Sequence, residues 1–332
     1  MNALIIGAAG FVGSYLIKHC KDDCGWNVSA TKMAFESFSY EGVDVYDLDI
    51  LDRDAIVSLL DHLRPDYIFH LAAQSSVAAS WRNPGLTIDV NIKGSVNVLD
   101  AIRAVRDADI AECDHHPHPE PWHVYHPRIL LIGSGEEYGH IRPEETPLPE
   151  TNALRPGNIY AATKACQNMI GSIYAKAYDL DIMMVRAFNH VGPNQAPMFV
   201  VADFCKQVAD IEAGLQEPVI RVGNLSAKRE FTDVRDVVRA YALLVQKGQP
   251  GETYNVGSGH AVAIEDILRQ ILSLSEKEIQ VEVDPKKLRP VDVPIIEADT
   301  SKLNETTGWQ KTIELSQTLQ ETLDYWRGKA VQ

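Results

Sequence analysis

The chain has 332 residues, of which 45% are hydrophobic and 23% are charged, a composition typical of a globular protein with one large or two moderate domains. Its formal net charge of −15 argues against non-specific nucleic-acid binding, and no apolar run reaches the length of a membrane crossing. Five cysteines without Cys-x-x-Cys spacing indicate reduced thiols, and a strand that starts near residue 2 leaves no room for a signal peptide, so we expect a cytoplasmic protein.

The chain opens with a strand pattern, a glycine-rich turn and a helix pattern. An apolar run over 3–6 precedes a Gly-x-x-Gly-x-x-Gly spacing, and apolar residues at helical spacing follow it. In this context the spacing predicts a seat for the pyrophosphate of a dinucleotide, whereas an ordinary glycine-rich loop is the alternative. The residues of this turn that we expect to contact the cofactor are Gly7, Gly10, Phe11, Val12 and Gly13.

Strands and helices alternate through the first half of the sequence. Predicted strands cover 3–6, 26–31, 43–49, 66–70, 128–134 and 181–188, and predicted helices include 84–105 and 158–178. This order predicts an α/β fold, a Rossmann-type doubly wound parallel sheet.

The second half mixes helices and short strands. Helices are predicted over 200–213, 233–247, 263–274 and 315–326, and strands near 219–222, 253–256 and 279–283. We therefore expect a dinucleotide-binding domain over 1–190 and a smaller mixed α/β substrate-binding lobe over 191–332. Segments near 230–257 are expected to return to the first domain.

Residues after the second, third and fourth strands bear on the cofactor. No acid follows the second strand until Glu36, so we expect Lys32 to meet a 2′-phosphate and favour NADP(H) over NAD(H). The alternative is a solvated lysine with the acid supplied elsewhere. Asp49 and Ile50 are placed to meet the adenine, and His70 is expected to be a hydrogen-bonded structural group. The small residues expected to lie along the dinucleotide are Leu71, Ala72 and Ala73.

Residues 107–127 contain four prolines and five histidines, which predict an exposed loop inserted between a helix and a strand. The histidines that a metal site would use are His115, His116, His118 and His123. Because prolines and short spacing fix no coordination geometry, we predict no metal site here.

Tyr160 and Lys164 carry the candidate chemistry. They lie four residues apart on a predicted helix and therefore share a face. A lysine ammonium beside a phenol favours phenolate, so we expect Lys164 to lower the tyrosine pKa from its usual value of about 10. Ser134, at the end of a predicted strand, can bond the same substrate oxygen. The Tyr-x-x-x-Lys spacing alone is common by chance.

Taken with the glycine turn, these residues resemble the extended short-chain dehydrogenase/reductase family over nearly the whole chain. The residues at the family's positions are Gly7, Gly10, Gly13, His70 to Ala73, Asn91, Ser134, Tyr160 and Lys164. The resemblance implies that the tyrosine exchanges a proton with a sugar hydroxyl or ketone. It also implies that the lysine holds the nicotinamide ribose, with Asn91 among the cofactor-binding residues.

Stretches that begin at Arg186, Val222 and Leu288 resemble the GDP-sugar branch of this family, and most closely GDP-6-deoxy-D-mannose reductases. The resemblance implies NADPH-dependent reduction of GDP-4-dehydro-6-deoxy-D-mannose to GDP-D-rhamnose. Two arginines are expected to grip the diphosphate by charge-assisted hydrogen bonds. The expected substrate contacts are Asn189, Val200, Lys206, Arg229 and Arg289.

Three other functions stay open. Glu136 occupies the position of the glutamate of GDP-mannose 4,6-dehydratases, which makes it a candidate catalytic residue and a dehydratase the nearest alternative. A nucleotide-sugar 4-epimerase is less favoured, because the acid after the second strand is missing. A non-catalytic NADP sensor is disfavoured by the intact serine, tyrosine and lysine. Similar proteins pair through helices corresponding to 84–105 and 158–178, so we expect a homodimer built on a four-helix bundle.

Overall fold

A computed structural model describes residues 1–115, 124–287 and 294–331 of the protein. In chain order its strands are β1 (Asn2–Ile6), β2 (Asn27–Lys32), β3 (Asp44–Asp47), β4 (Tyr67–His70), β5 (Arg128–Ile132), β6 (Ile182–Ala187), β7 (His190–Val191), β8 (Val219–Val222), β9 (Lys228–Glu230), β10 (Thr232–Asp233), β11 (Thr253–Val256), β12 (Ala261–Ala263), β13 (Gln280–Val283) and β14 (Ile295–Ile296). Its α-helices are α1 (Phe11–Lys18), α2 (Arg53–Leu63), α3 (Val77–Arg82), α4 (Pro84–Ile88), α5 (Gly94–His115), α6 (Ile159–Tyr178), α7 (Val200–Glu212), α8 (Val234–Lys247), α9 (Ile264–Ser273), α10 (Ser301–Thr307) and α11 (Leu315–Ala330).

A seven-stranded sheet in the order β11-β6-β5-β4-β1-β2-β3 forms the centre of the molecule. Every neighbouring pair in it is parallel, and its central strands are apolar and almost completely buried. Such strands need cover on both faces. One face packs against α1 and α8, and the other against α2, α5 and α6. The predicted doubly wound α/β fold is confirmed.

Side-chain caps fix where several of these helices begin. The Asp52 carboxylate accepts the N–H of Ala55 at the start of α2, at 3.0 Å. The Asn158 side chain accepts the N–H of Ala161 at the start of α6, at 2.8 Å. This cap fixes the start of α6, so Tyr160 lies in the first turn, at the N-terminal end of the helix.

The second half of the chain builds a further core. α7, α9 and α11 pack around Phe204, Val208, Ile267 and Leu319, beside the small sheets β13-β8 and β12-β9-β14. By contrast, β11 adds to the edge of the large sheet beside β6, and α8 packs on α1. A boundary between two lobes near residue 190 remains a proposal, which these two separate cores support.

The helix predicted over 84–105 is longer and less regular than expected. It consists of α4, a π-helical turn over Asp89–Lys93, and α5, which continues to His115. Residues 107–115, predicted as loop, are therefore helical. They contain neither proline nor glycine, the residues that most disfavour a helix interior, and Ala108, Ala111 and Glu112 are strong helix formers. Residues 116–123, and with them His116, His118 and His123, lie outside the described residues, as does the side chain of His115.

The strand predicted over 128–134 is shorter than expected, since β5 ends at Ile132 and a 3₁₀ turn over Gly135–Tyr138 follows. The Ser134 side chain caps that turn, which draws the chain out of the sheet. No helix within the described segments combines the length and the apolar character that a membrane crossing requires.

Candidate functional site

All seven strands of the large sheet run in the same direction, so their carboxyl ends lie at the same end of the sheet. The glycine turn follows β1, Lys32 ends β2, and Ser134 comes two residues after β5. Residues that are far apart in the sequence thereby lie at the same end of the sheet. There Ser134 acts on Tyr160, at the start of α6.

Two of the three turn glycines are required by contacts within the protein. Gly7 has φ of +83°, and a Cβ there would lie 2.6 Å from the Cα of Ala72. A Cβ on Gly13 would lie 1.9 Å from the carbonyl oxygen of Ala8. The first glycine therefore allows the end of β1 to approach the end of β4, and the third allows α1 to approach the turn.

Gly10 is different, because it leaves room for a ligand. The nearest atom to a Cβ added at Gly10 is 3.8 Å away. Gly10 also precedes α1 with no side chain to cap it, and the first-turn N–H groups of Phe11 and Val12 have no acceptor within the helix. An open space in front of a helix N-terminus fits the pyrophosphate of a dinucleotide cofactor.

Lys32 lies at the end of β2 and has a partner that the sequence did not indicate. Its ammonium pairs with the carboxylate of Asp47 on β3, with 2.5 Å between Nζ and Oδ1. Glu36, the first acid after β2, accepts the N–H of Met33 at 2.8 Å. A phosphate bound at Lys32 would therefore share this cation with Asp47.

The two residues proposed for the adenine both follow β3, and they differ in exposure. Asp49 is exposed, and its Oδ1 accepts the N–H of Leu51 at 2.9 Å. Ile50 is buried beneath α5, where a Cβ on Gly94 would lie 2.5 Å from the Ile50 Cδ1. Of this pair, Asp49 is the residue whose side chain faces outward.

The segment after β4 lies against the end of β1. The N–H groups of Leu71 and Ala72 both donate to the Ile6 carbonyl, at 3.0 and 2.9 Å, and Ala73 follows half-buried. His70 is buried, with its Nε2 3.0 Å from the hydroxyl of Ser95. Burial lowers the pKa of His70 to about 3, so the imidazole is neutral and structural, as its position predicts.

Asn91, in the π-helical turn, links two segments of the site by hydrogen bonds. Its completely buried amide accepts the N–H of Gln74 at 2.8 Å and donates to the Gln74 carbonyl at 3.1 Å and to the Thr163 hydroxyl at 2.9 Å. Thr163 in turn donates to the Tyr160 carbonyl at 2.7 Å. Asn91, predicted to bind cofactor, thus joins the loop after β4 to the helix of the tyrosine.

Ser134 and Glu136, on the turn after β5, both act on Tyr160. The Ser134 side chain lowers the tyrosine pKa, and its hydroxyl also accepts the N–H of Glu136 at 3.2 Å. The Glu136 carboxylate is half-buried, and its Oε2 lies 3.4 Å from the Asn158 amide nitrogen. A serine hydroxyl and a carboxylate that both influence the Tyr160 phenol therefore follow the end of β5.

The proton affinities of Tyr160 and Lys164 differ from the sequence expectation. Burial raises the pKa of Tyr160 to about 12, helped by the charges of Glu136 and Glu137 and opposed by the bond to Ser134. Burial also lowers the pKa of Lys164 to about 8. The Lys164 ammonium donates to the Ile132 carbonyl at 2.7 Å and to Gln167 at 3.0 Å, so it does not lower the tyrosine pKa in this arrangement.

A buried ion pair behind Ser134 was missed at the sequence level. Glu137 is completely buried, and its Oε2 accepts from the Nε of Arg186 on β6 at 3.0 Å. Its other oxygen accepts the N–H of Ser134 at 2.9 Å. The Ser-x-x-Glu spacing of a capping box was the available signal.

The residues proposed for the substrate are more scattered. Asn189 is exposed just after β6, and Val200 begins α7 half-buried. Lys206 pairs with Asp210 and lies 5.9 Å from the Trp326 ring, in the contact between α7 and α11. Arg229 is half-buried on β9. Arg289 lies outside the described residues.

A parallel doubly wound sheet with a glycine turn after β1, a serine after β5 and a Tyr-x-x-x-Lys helix is typical of a short-chain dehydrogenase/reductase. Comparison with known proteins agrees. The family described as GDP-mannose 4,6 dehydratase matches residues 4–322, and the chain belongs to this family. It is an NAD(P)-dependent nucleotide-sugar oxidoreductase by this membership.

Individual relatives are similar over most of their length. GDP-6-deoxy-D-mannose reductase from Pseudomonas aeruginosa is 29% identical over 281 residues, which cover 85% of this chain and 86% of that protein. GDP-mannose 4,6-dehydratase from Yersinia enterocolitica is 26% identical over 95% of this chain and 91% of that protein. The solved structure of RMD from Pseudomonas aeruginosa complexed with NADPH superposes with a TM-score of 0.82 at 26% identity, covering 99% of this chain and 100% of that one.

Proposed function

We propose that the protein reduces the 4-keto group of GDP-4-dehydro-6-deoxy-D-mannose to GDP-D-rhamnose with NADPH. The observation that carries this proposal is the buried Tyr160 side chain, on which Ser134 acts and whose pKa burial raises to about 12. Such a phenol is protonated at neutral pH, and because an alkoxide is a stronger base than a phenolate, it can give its proton to the oxygen of the ketone as hydride arrives at the carbon. The similarity to a GDP-6-deoxy-D-mannose reductase also supports reduction as the reaction.

Each residue has a defined part in this reaction. When bound, the nicotinamide supplies the hydride to the sugar C4. Tyr160 donates its proton to the oxygen that becomes the hydroxyl, and Ser134 donates a hydrogen bond to that oxygen as negative charge develops. Lys164, whose pKa of about 8 keeps it mainly charged at neutral pH, holds the nicotinamide ribose.

The GDP part of the substrate is proposed to lie along the second half of the chain. Arg229 and Arg289 would bind the diphosphate, because guanidinium groups match phosphate oxygens in geometry and charge. Asn189 would meet the sugar, and the segment that contains Val200 and Lys206 would lie near the base.

A spectrophotometric assay with two sugars tests the proposal. Purified protein is given NADPH and either GDP-mannose or its 4-keto-6-deoxy product, and NADPH absorbance is followed. We expect NADPH oxidation with the keto sugar alone, and GDP-D-rhamnose as the product. No oxidation with the keto sugar would contradict the proposal.

GDP-mannose 4,6-dehydration is the second candidate function, favoured by the position of Glu136. Its carboxylate is half-buried, and its negative charge raises the pKa of Tyr160, so the two groups interact electrostatically. A dehydratase uses such a carboxylate to remove water from the sugar. Loss of GDP-mannose without net change in NADPH would identify this reaction.

The Lys32–Asp47 pair yields a prediction about cofactor choice. Replacing Lys32 with alanine should weaken NADPH binding about tenfold and leave NADH binding nearly unchanged, because only NADPH carries the 2′-phosphate. Replacing Asp47 with asparagine should tighten NADPH binding, since the carboxylate no longer competes for the ammonium. Cofactor fluorescence titration measures both affinities.

Lys18→Ala is the matched control, because Lys18 pairs with Asp22 at the far end of α1 and is exposed. It should change neither affinity. Equal weakening of NADPH and NADH in the Lys32 variant would show that Lys32 does not read the phosphate.

A homodimer is proposed from an apolar surface on α4 and α6. Met169 and Ile173, one helical turn apart on α6, are 55% and 59% exposed, and Leu86 and Ile88 on neighbouring α4 are 47% and 45% exposed. Contiguous apolar surface of this kind is typical of an interface. Sedimentation should therefore find a dimer, and the Met169→Glu/Ile173→Glu double variant should sediment as a monomer.

Leu215→Glu provides the comparison, since Leu215 is 67% exposed in the second half of the chain, away from α6. It should leave the dimer intact. A monomeric unmodified protein at micromolar concentration would contradict the proposal.

A further inference from the structure

The buried Glu137–Arg186 pair lies directly behind the loop that carries Ser134. Its fit depends on Gly133, where an added Cβ would lie 2.3 Å from the Glu137 Oε1. With both carboxylate oxygens engaged, one by the Ser134 N–H and the other by Arg186, the carboxylate is held in one orientation. The backbone that presents the Ser134 hydroxyl is held with it.

Arg186 is itself held by a buried polar network. Its Nη1 donates to the Tyr138 hydroxyl at 3.0 Å and to the Glu150 carbonyl at 2.8 Å, and Tyr138 donates to Asn255 at 2.7 Å. A buried ion pair adds little stability by itself, because removing both charges from water is costly. A buried ion pair whose hydrogen-bonding groups are all occupied, as here, is more typical of a network that fixes the geometry of its surroundings.

The ionisable groups around Lys164 come from three elements. His70 is the last residue of β4, Glu137 follows β5, and Tyr160 lies on α6 with the lysine itself. His70 is neutral, and Tyr160 is a neutral phenol at physiological pH. Lys164 and Glu137 hold the same short segment, since the Lys164 ammonium donates to the Ile132 carbonyl at 2.7 Å and Glu137 accepts the Ser134 N–H at 2.9 Å. The charge of Glu137 raises the pKa of Lys164 against the effect of burial. Burial raises the pKa of Glu137 as well, and the Arg186 guanidinium, 3.0 Å away, opposes that rise and favours the carboxylate.

We propose that Glu137 is a positioning residue for the reduction, which fixes the Ser134 loop and supplies the negative charge that keeps the buried Lys164 an ammonium ion. This inference rests on the proposed function for its catalytic consequence, but its electrostatic content concerns Lys164 alone. Glu137 touches neither the reacting oxygen nor the nicotinamide in this role; it acts through Ser134 and Lys164.

The test is the Glu137→Gln variant, which keeps an oxygen for the Ser134 N–H and removes the charge. Without that charge the pKa of Lys164 falls, so the lysine loses its proton at lower pH. The pH midpoint above which NADPH affinity declines should therefore move down by about one unit. The alkaline limb of kcat/KM with the keto sugar should move in the same direction.

Two further variants separate charge from folding. Glu137→Gln/Arg186→Met removes both charges of the pair, so Arg186 is not left without its carboxylate and the variant should fold where the single variant is unstable. It should show a smaller shift in the same direction, because the positive charge of Arg186 is lost as well. Glu212→Gln removes a carboxylate from another Glu–Arg pair, with Arg327 in the second core, and should leave the midpoint unchanged.

An unchanged midpoint in both Glu137 variants, whatever happens to Tm, would overturn the proposal and reduce Glu137 to a structural residue. The NADPH titration uses no sugar. It therefore tests Glu137 even if the assay shows that the keto sugar is not the substrate, and the two proposals fail separately.

Discussion

Replacing Tyr160 with phenylalanine should lower kcat for reduction of the keto sugar by about 10³-fold, the range typical of removing a general acid. The ring, its burial and the bond from Thr163 to the residue's carbonyl all remain, so the fold and NADPH binding should persist. Stopped-flow or steady-state NADPH absorbance gives the rate, and fluorescence titration gives the affinity.

Tyr174→Phe is the matched control on the same helix. Its hydroxyl bonds to Asp100 at 3.0 Å, on α5 rather than at the mouth of β5, and its loss should leave kcat unchanged. A Tyr160→Phe variant with unimpaired turnover would mean that the proton comes from another group. Unimpaired biological function without turnover would instead favour a dinucleotide sensor.

Replacing Lys164 with methionine should have two opposite effects. Reduction should slow by about 10²-fold or more, because the ammonium proposed to hold the ribose is lost. The free energy of unfolding at pH 7 should rise by about 1 to 2 kcal/mol. Burial disfavours the charged lysine, and a thioether of similar length avoids that cost, although the Ile132 carbonyl loses a donor.

The pH dependence of that gain follows from linkage. The pKa of Lys164 is lowered from 10.5 in the unfolded chain to about 8 in the folded one. The stability associated with the neutral lysine is therefore fully present above pH 10.5 and is lost as the pH falls through 8. The stabilisation by Lys164→Met should accordingly be largest below pH 8 and shrink towards pH 10.

Thermal denaturation at several pH values measures this effect, with Lys176→Met as the control on the exposed side of α6. The control should change neither rate nor stability. Equal Tm values for Lys164→Met and the unmodified protein across pH 7 to 10 would show that the lysine carries no desolvation cost.

The sequence predicted the parts of this protein that depend on local pattern. Alternating apolar strands and helices are enough to predict a parallel sheet, and glycines next to a strand and a helix are enough to predict the turn. The four-residue spacing of Tyr160 and Lys164 placed both on one helix face. These features need no knowledge of which distant segments meet.

The rest depends on contacts across the fold. Asp47 follows Lys32 by fifteen positions and reaches it only because β2 and β3 pair in register. From the sequence alone Glu137 resembles a surface acid, because its partner Arg186 lies on β6 and reaches it only in the folded sheet. The direction of the Tyr160 pKa was predicted wrongly, because spacing gives neither the depth of burial nor the carbonyl of Ile132 that holds the lysine.

The place of β11 at the edge of the large sheet has a consequence for biosynthesis. The chain leaves the sheet at Ala187 and comes back only at Thr253, after α7, α8 and the strands β7 to β10 have been made. During translation, the side of β6 away from β5 is an unpaired edge until Val256 has left the ribosome, and such edges are prone to pair with other chains. Slow passage through that interval would leave the nascent chain exposed to aggregation at β6.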